Sequence, residues 1–279
     1  MQFILFSDNL ADLKVPQLCA AVKAAGFDGI DLTMRPGGHV DPARAELGLA
    51  EAARAAERAS LTIPMVTTAV TDATDRHADA VFAAAAHYGA RRLKLGYWVY
   101  KPFGSLARQI DEARSKLERI ARLAQKYHVL PCVHCHSGGS LSGGGMPLYL
   151  ILKDFKPAEV GAYVDPMHMT IEGGLTGWEM ALDLLAPWVA LVGMKNFRWV
   201  APTAEPGKPT RAVPNYAPLA DGQAALPEFV HRLQQLKYDG IMSLHSEYKG
   251  PDSFRNLSTP ELLAQSAEDL KYLKTLVGR

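Results

Sequence analysis

The segment Val129 to Gly139, VLPCVHCHSGG, gathers side chains able to do chemistry. An apolar, partly β-branched run that ends in Ser and Gly predicts a short strand and a loop. Residues two apart on a strand share a face, so Cys132, His134 and His136 point the same way. Paired imidazoles at a strand end suit a metal or acid–base work. The plainer alternative is two histidines satisfied separately. Other apolar runs end in similar groups. DLTMRPGGHV offers Asp31, Arg35 and His39; RRLKLGYWV carries Lys94 and Trp98; AYVDPMHM gives Asp165 and His168. VGMKNFRW presents Lys195, Asn196 and then Trp199, and IMSLHSEY places His245 and Glu247 on one face. A single lysine or glutamate of this kind is usually a solvated side chain. Their recurrence at strand ends is the argument, because charged groups are costly to bury without a purpose.

Positioning these groups together requires a particular architecture. Runs with strand character begin near Gln2, Gly29, Thr62, Arg92, Val129, Gly161, Leu191 and Gly240, with helical, Ala/Leu-rich segments between them. Ser105 to Tyr127 sets Leu106, Ile110, Ala113, Leu117, Ile120 and Ala124 on one stripe. Asp41-Pro42 and Thr259-Pro260 each read as a capping side chain followed by proline at the first helical position. Eight strands alternating with helices predict an α/β fold, a single (β/α)8 TIM barrel over residues 1–279. A doubly wound open sheet is the alternative. A barrel directs all its C-terminal strand ends to one mouth, which unites the groups above. After the seventh strand, residues 200–227 form a long Pro-, Ala- and Gly-rich connection, read as a lid over that mouth, with disorder as the alternative.

Composition narrows the classes. With 48% hydrophobic and 21% charged residues the chain has the balance of a soluble globular protein. A net charge of +1 gives no electrostatic footprint for nucleic acid or a membrane surface. Three cysteines form no disulfide framework, which favours a reducing, cytoplasmic setting. No run approaches a membrane span, and the apolar opening MQFILF is too short for an export signal. CVHCH matches the haem-attachment spacing, but Cys132 and Cys135 fall on opposite faces of a strand, which argues against haem and against a redox pair. The loop Ser137–Gly145 lacks the Lys-Ser/Thr of a phosphate cradle.

The strings GFDGIDLTMRPGGHV, HCHSGG, DPMHMTIEGG, MKNFRW and SLHSEY together resemble the xylose-isomerase-like TIM-barrel superfamily, and within it a bacterial group of sugar phosphate isomerases/epimerases. The resemblance covers essentially the whole chain. It implies a divalent metal held at the ends of strands five to eight, and a small carbohydrate as partner. Superfamily members commonly form homo-oligomers. Carried over residue by residue, the strand-five glutamate position is His134, the strand-six aspartate is Asp165 and its companion histidine is His168. The strand-seven histidine position is Gly193, and the strand-eight glutamate falls on His245 or Glu247. Two carboxylate-flanked positions are thus altered, which puts a two-glutamate epimerisation in question. The ligand set implied is His134, His136, Asp165 and Glu247, a mixture suited to Mn, Zn, Co, Ni or Fe. The implied activity is isomerisation or epimerisation by proton abstraction next to a sugar carbonyl. Lys195 and Lys94 would steady the enolate and His168 or His245 would move the proton, while Arg35, His39, Trp98 and Trp199 line the pocket. The alternatives are a lyase or hydrolase of keto-glycosides, an apurinic-endonuclease-like hydrolase, and a sugar-binding barrel without catalysis.

Overall fold

The computed structural model describes residues 1–201 and 211–278. Eight parallel strands close on themselves: β1 (Gln2–Phe6), β2 (Gly29–Met34), β3 (Thr62–Thr68), β4 (Arg92–Lys94), β5 (Leu130–His134), β6 (Gly161–Val164), β7 (Val189–Met194) and β10 (Ile241–Leu244). Each barrel strand pairs with its neighbours in chain order, and β10 returns to β1 with Gln2 opposite Ile241. The strands begin within two residues of the positions expected from the sequence. Parallel neighbours need crossover connections. These are supplied by α1 (Val15–Ala24), α2 (Ala45–Arg58), α3 (Ala78–His87), α4 (Leu106–Tyr127), α5 (Met146–Leu152), α6 (Pro166–Leu185) and α7 (Leu226–Gln235), with α8 (Thr259–Leu276) completing the ring. The result is a single-domain TIM barrel.

Period two decides which side chains enter the barrel. Ile4, Met65, Cys132, Tyr163, Leu191 and Ile241 form a small apolar layer inside it, separate from the large core between strands and helices. Cys132 lies in the inner layer and Cys135 in the outer core. Burial pushes the Cys132 thiol up to about 12, and the Cys135 thiol well above its usual range. Both are free thiols with no route to a shared bond.

Two local expectations change. The cap of α8 is Ser258 rather than Thr259: the Ser258 backbone N–H donates to Glu261 Oε2 at 2.8 Å in a reciprocal capping box, while Thr259 Oγ1 bonds Asp12 and Lys249. The connection after strand seven carries regular structure in its described part. β8 (Asn196–Val200) and β9 (Val213–Ala217) pair antiparallel, Asn196 opposite Ala217. Pro214 can occupy this two-stranded ribbon because an edge strand does not need every N–H. Residues 202–210, the centre of the expected lid, lie outside the described residues.

Candidate active site at the barrel mouth

Continuing the inward parity of each strand toward its C-terminal end brings the chemistry to the mouth. Lys94, His134, Lys195, His245 and Glu247 line one cavity of about 140 Å³, together with Phe6, Asp8, Arg35, Thr67, Tyr97, His136 and Tyr163. A larger cavity of about 760 Å³ lies at the opposite face, beside the strand starts Arg92 and Leu130, and contains none of these groups.

Asp165 organises the centre of the mouth. It ends β6 and caps α6, its Oδ1 accepting from the His168 N–H at 3.1 Å, with Pro166 at the first helical position. The first helical turn therefore carries His168 back over Asp165. Asp165 Oδ2 is left 3.4 Å from His134 Nε2 and 4.0 Å from His168 Nε2. These three atoms are buried and have no hydrogen-bond partner, and they lie within 4.8 Å of one another.

Burial without hydrogen bonds is normally expensive, so the trio needs a physical explanation. An ion with bonds of about 2.1 Å sets tetrahedral ligands about 3.4 Å apart, the separation of His134 Nε2 from Asp165 Oδ2, with His168 Nε2 somewhat farther out at 4.0 Å. The outer nitrogens are also engaged: His134 Nδ1 meets Tyr97 OH at 3.1 Å and His168 Nδ1 meets Ser137 Oγ at 2.8 Å. When each Nδ1–H donates outward, each Nε2 lone pair faces Asp165, the arrangement that supports metal-binding histidines. The donor set therefore fits a divalent metal. Burial drives both histidines well below their usual pKa and keeps them neutral, as ligands must be. Burial also raises Asp165 to about 6, against the pull of Lys195.

Lys195 crosses from β7 to bridge two carboxylates, with Nζ 2.9 Å from Glu247 Oε1 and 3.7 Å from Asp165 Oδ2. Burial would discharge it, but the two carboxylates outweigh burial and hold its pKa above normal. Burial pushes Glu247 up in turn, and Lys195, His245 and Tyr216 together more than reverse this, leaving its carboxyl well below the usual range. Gly193, one pleat before Lys195, leaves room for the Asp165 carboxylate because it has no side chain. A Cβ there would meet Asp165 Oδ2 at 3.0 Å.

A second polar chain runs across the barrel floor. Asp31 is fully buried and accepts from Thr67 Oγ1 at 2.7 Å, Ser243 Oγ at 2.9 Å and Tyr163 OH at 3.3 Å. Tyr163 OH also lies 2.7 Å from His245 Nε2, and His245 stacks on Phe6 at 4.4 Å. His245 Nδ1 is buried without a hydrogen bond, 3.7 Å from Glu247 Oε1.

Of the groups expected from the sequence, the mouth unites Arg35, Lys94, His134, His136, Asp165, His168, Lys195, His245 and Glu247. His136 lines the cavity, donates from Nδ1 to the Ser137 carbonyl at 2.7 Å and packs against His168 at 3.9 Å. Burial lowers its pKa to about 4. Glu247 contacts Lys195 and not the histidine–aspartate trio. Three expected lining residues lie elsewhere. His39 bonds Thr33 Oγ1 and the Leu10 carbonyl. Trp98 is buried and donates to the Thr71 carbonyl. Trp199 is exposed on the β8–β9 ribbon against Phe197. Tyr97, Tyr163, Phe6, Asp8 and Ser137 were not anticipated. Tyr163 had a signal, since it shares the parity of Asp165; Tyr97 lies past the end of β4 and had none.

A family model for xylose isomerase-like TIM barrels matches residues 19–276, and the chain belongs to that family. No curated protein matches it in sequence. Among solved structures it is similar to a D-allulose 3-epimerase from Methylomonas sp., with a TM-score of 0.74 and 14% identity over 99% of this chain and 98% of that one. A xylose isomerase-like TIM barrel protein from Mycobacterium smegmatis, in complex with magnesium, gives 0.71 and 15% over 99% and 96%. The probable 3-DHS dehydratase of petrobactin synthesis from Bacillus anthracis gives 0.68 and 15% over 97% and 99%. At such identities the likeness establishes the fold. No helix among the described residues is long and apolar enough to cross a membrane.

Proposed function

We propose that this member of the xylose isomerase-like TIM-barrel family is a divalent-metal-dependent isomerase or epimerase that removes a proton next to the carbonyl of a sugar or sugar derivative. The observation that carries the reading is the convergence of three buried atoms without a hydrogen bond, His134 Nε2, Asp165 Oδ2 and His168 Nε2, beside the Lys195 ammonium. A divalent ion held by these residues would supply Lewis-acid polarisation of a carbonyl and so acidify the adjacent C–H. The ligand set is thus narrower than the sequence implied: His168 joins it, His136 stands beside it, and Glu247 acts through Lys195. The epimerase and dehydratase among the similar folds are compatible with such chemistry.

The remaining groups take definite parts. Lys195 places a fixed positive charge where an enolate oxygen would develop, preorganised by Glu247 and Asp165. His245 is the base. With Tyr163 donating to Asp31, the His245 Nε2–H donates to Tyr163, and the lone pair falls on Nδ1, the atom left without a partner. A free imidazole lone pair facing the cavity is the group a general base needs. Tyr97 and Ser137 hold the two histidine ligands in one tautomer.

The test is a panel of keto-sugars and 3-keto-glycosides incubated with metal-loaded protein in D2O and followed by proton NMR. Deuterium entering the carbon next to a carbonyl, lost in His245→Gln, is the expected result. Turnover of a substrate without any solvent exchange would mean hydride shift or hydrolysis and would remove the enolate from the account.

A further inference from the structure

Among the described residues, one cation at the mouth has no counter-ion. The cavity is lined by three cationic side chains, Arg35, Lys94 and Lys195, and by the carboxylates of Asp8 and Glu247. Lys195 is matched to Glu247 and Asp165. Arg35 pairs with Asp8 at 2.5 Å through one terminal nitrogen, and a guanidinium carries five N–H donors, so others stay available. Lys94 is 2% exposed and, among the described residues, has neither a hydrogen bond nor an ion pair. Its ammonium rests over the Tyr97 ring, 3.5 Å from the centroid. Asp31 adds some attraction, but its oxygens are already taken by Thr67, Ser243 and Tyr163.

We infer that Lys94, with Arg35 beside it, is a subsite for an anionic group of the substrate, a carboxylate or a phosphate, so that the substrate is an acidic sugar derivative and not a neutral sugar. The inference rests on reading the mouth as the reacting centre. An ammonium is a costly group to bury alone, and burial together with the Arg35 charge lowers Lys94 to about 7. A bound anion removes that cost and keeps the lysine charged. Tyr97 connects the two ends of the site, supporting Lys94 with its ring face and His134 with its hydroxyl. The anionic end of the substrate would thus be fixed on the β2–β4 side and its carbonyl end on the β5–β7 side. A cavity of about 140 Å³ is smaller than the usual ligand pocket of roughly 300–1,000 Å³, which favours a short molecule anchored at both ends.

Calorimetric titration of wild-type protein with inorganic phosphate, glycerate and, as the neutral control, glycerol tests this. Phosphate or glycerate should bind and glycerol should not, and the tighter anion identifies the group. Lys94→Met should weaken the anion roughly tenfold to a hundredfold, the loss of a charge-assisted hydrogen bond, and Arg35→Gln should weaken it less. Lys94→Met should also raise the melting temperature of the free protein, because it replaces an unpaired buried charge with an apolar stem. Equal anion affinity in wild type and Lys94→Met would overturn the inference and place the ion on another basic surface. Glycerol binding as tightly as either anion would overturn it too. Because the readout is binding, the outcomes separate: anion binding without solvent exchange refutes the proposed reaction alone. Exchange into a neutral sugar without anion binding refutes the subsite alone.

Discussion

Lys195→Met removes the charge that joins the two carboxylates of the mouth while keeping the length of the stem. In the wild type Nζ lies 2.9 Å from Glu247 and 3.7 Å from Asp165. Breaking a buried pair from one side costs about 3–5 kcal/mol. Glu247 retains 23% side-chain exposure and can rehydrate, which argues for the lower end, about 3 kcal/mol. For a domain of this size each kcal/mol shifts the melting temperature by about 2–4 °C, so the metal-free variant should melt about 6–12 °C below wild type. A divalent ion beside Asp165 would restore positive charge to the same carboxylate, and in the variant it would not face the ammonium. Metal should therefore raise the melting temperature of Lys195→Met by more than it raises wild type. Turnover should still fall about a hundredfold or more, because the enolate stabiliser is gone. The assay is differential scanning fluorimetry of metal-stripped and metal-loaded protein, with turnover in parallel. A metal-free variant as stable as wild type, or one with unimpaired turnover, would refute the role given to Lys195.

Ser137→Ala removes the partner of His168 Nδ1 and should weaken metal binding about tenfold to a hundredfold with little change in fold; unchanged affinity by chelator competition would show that Ser137 does not orient the ligand. Asp269, buried beneath Tyr248, is raised by burial to about 6 in the folded protein against an ordinary 3.8. The native state then holds its proton longer than the unfolded chain, so this group costs stability as pH rises from about 4 to about 6. Asp269→Asn should lose that decline, read as the wild-type-minus-variant difference in urea midpoint across the interval, and a flat difference would contradict it.

The barrel was legible because its strands are short apolar runs between amphipathic helices, a signal that survives without any tertiary information. Ser105–Tyr127 shows this: its single stripe of Leu106, Ile110 and Ala113 became α4 almost to the residue. The site was legible where parity holds to the strand's end, as for His134, Lys195 and Lys94. It was less so past that end. β5 stops at His134, so the alternation that paired His134 with His136 no longer governs His136, which turns to bond Ser137. Asp165-Pro166 carries the same helix-start signature as Asp41-Pro42, and it decides where His168 goes. An N-cap aspartate with histidine at the third helical position brings the two together. The β8–β9 ribbon was obscured by Pro214 and Pro218, which mask its alternation. His39, Trp98 and Trp199 show the limit of residue type alone, since each found its partners in packing or in backbone carbonyls.

The central claim is that His134, Asp165 and His168 form a divalent-metal site. Calorimetric titration of metal-stripped protein with Mn, Co and Zn, in wild type and in Asp165→Ala, His168→Ala and Glu247→Gln, tests it most directly. The account predicts one ion per wild-type chain, loss of tight binding in Asp165→Ala and His168→Ala, and retained stoichiometry in Glu247→Gln. Full metal content in Asp165→Ala, or loss of the ion in Glu247→Gln with His168→Ala unaffected, would contradict it.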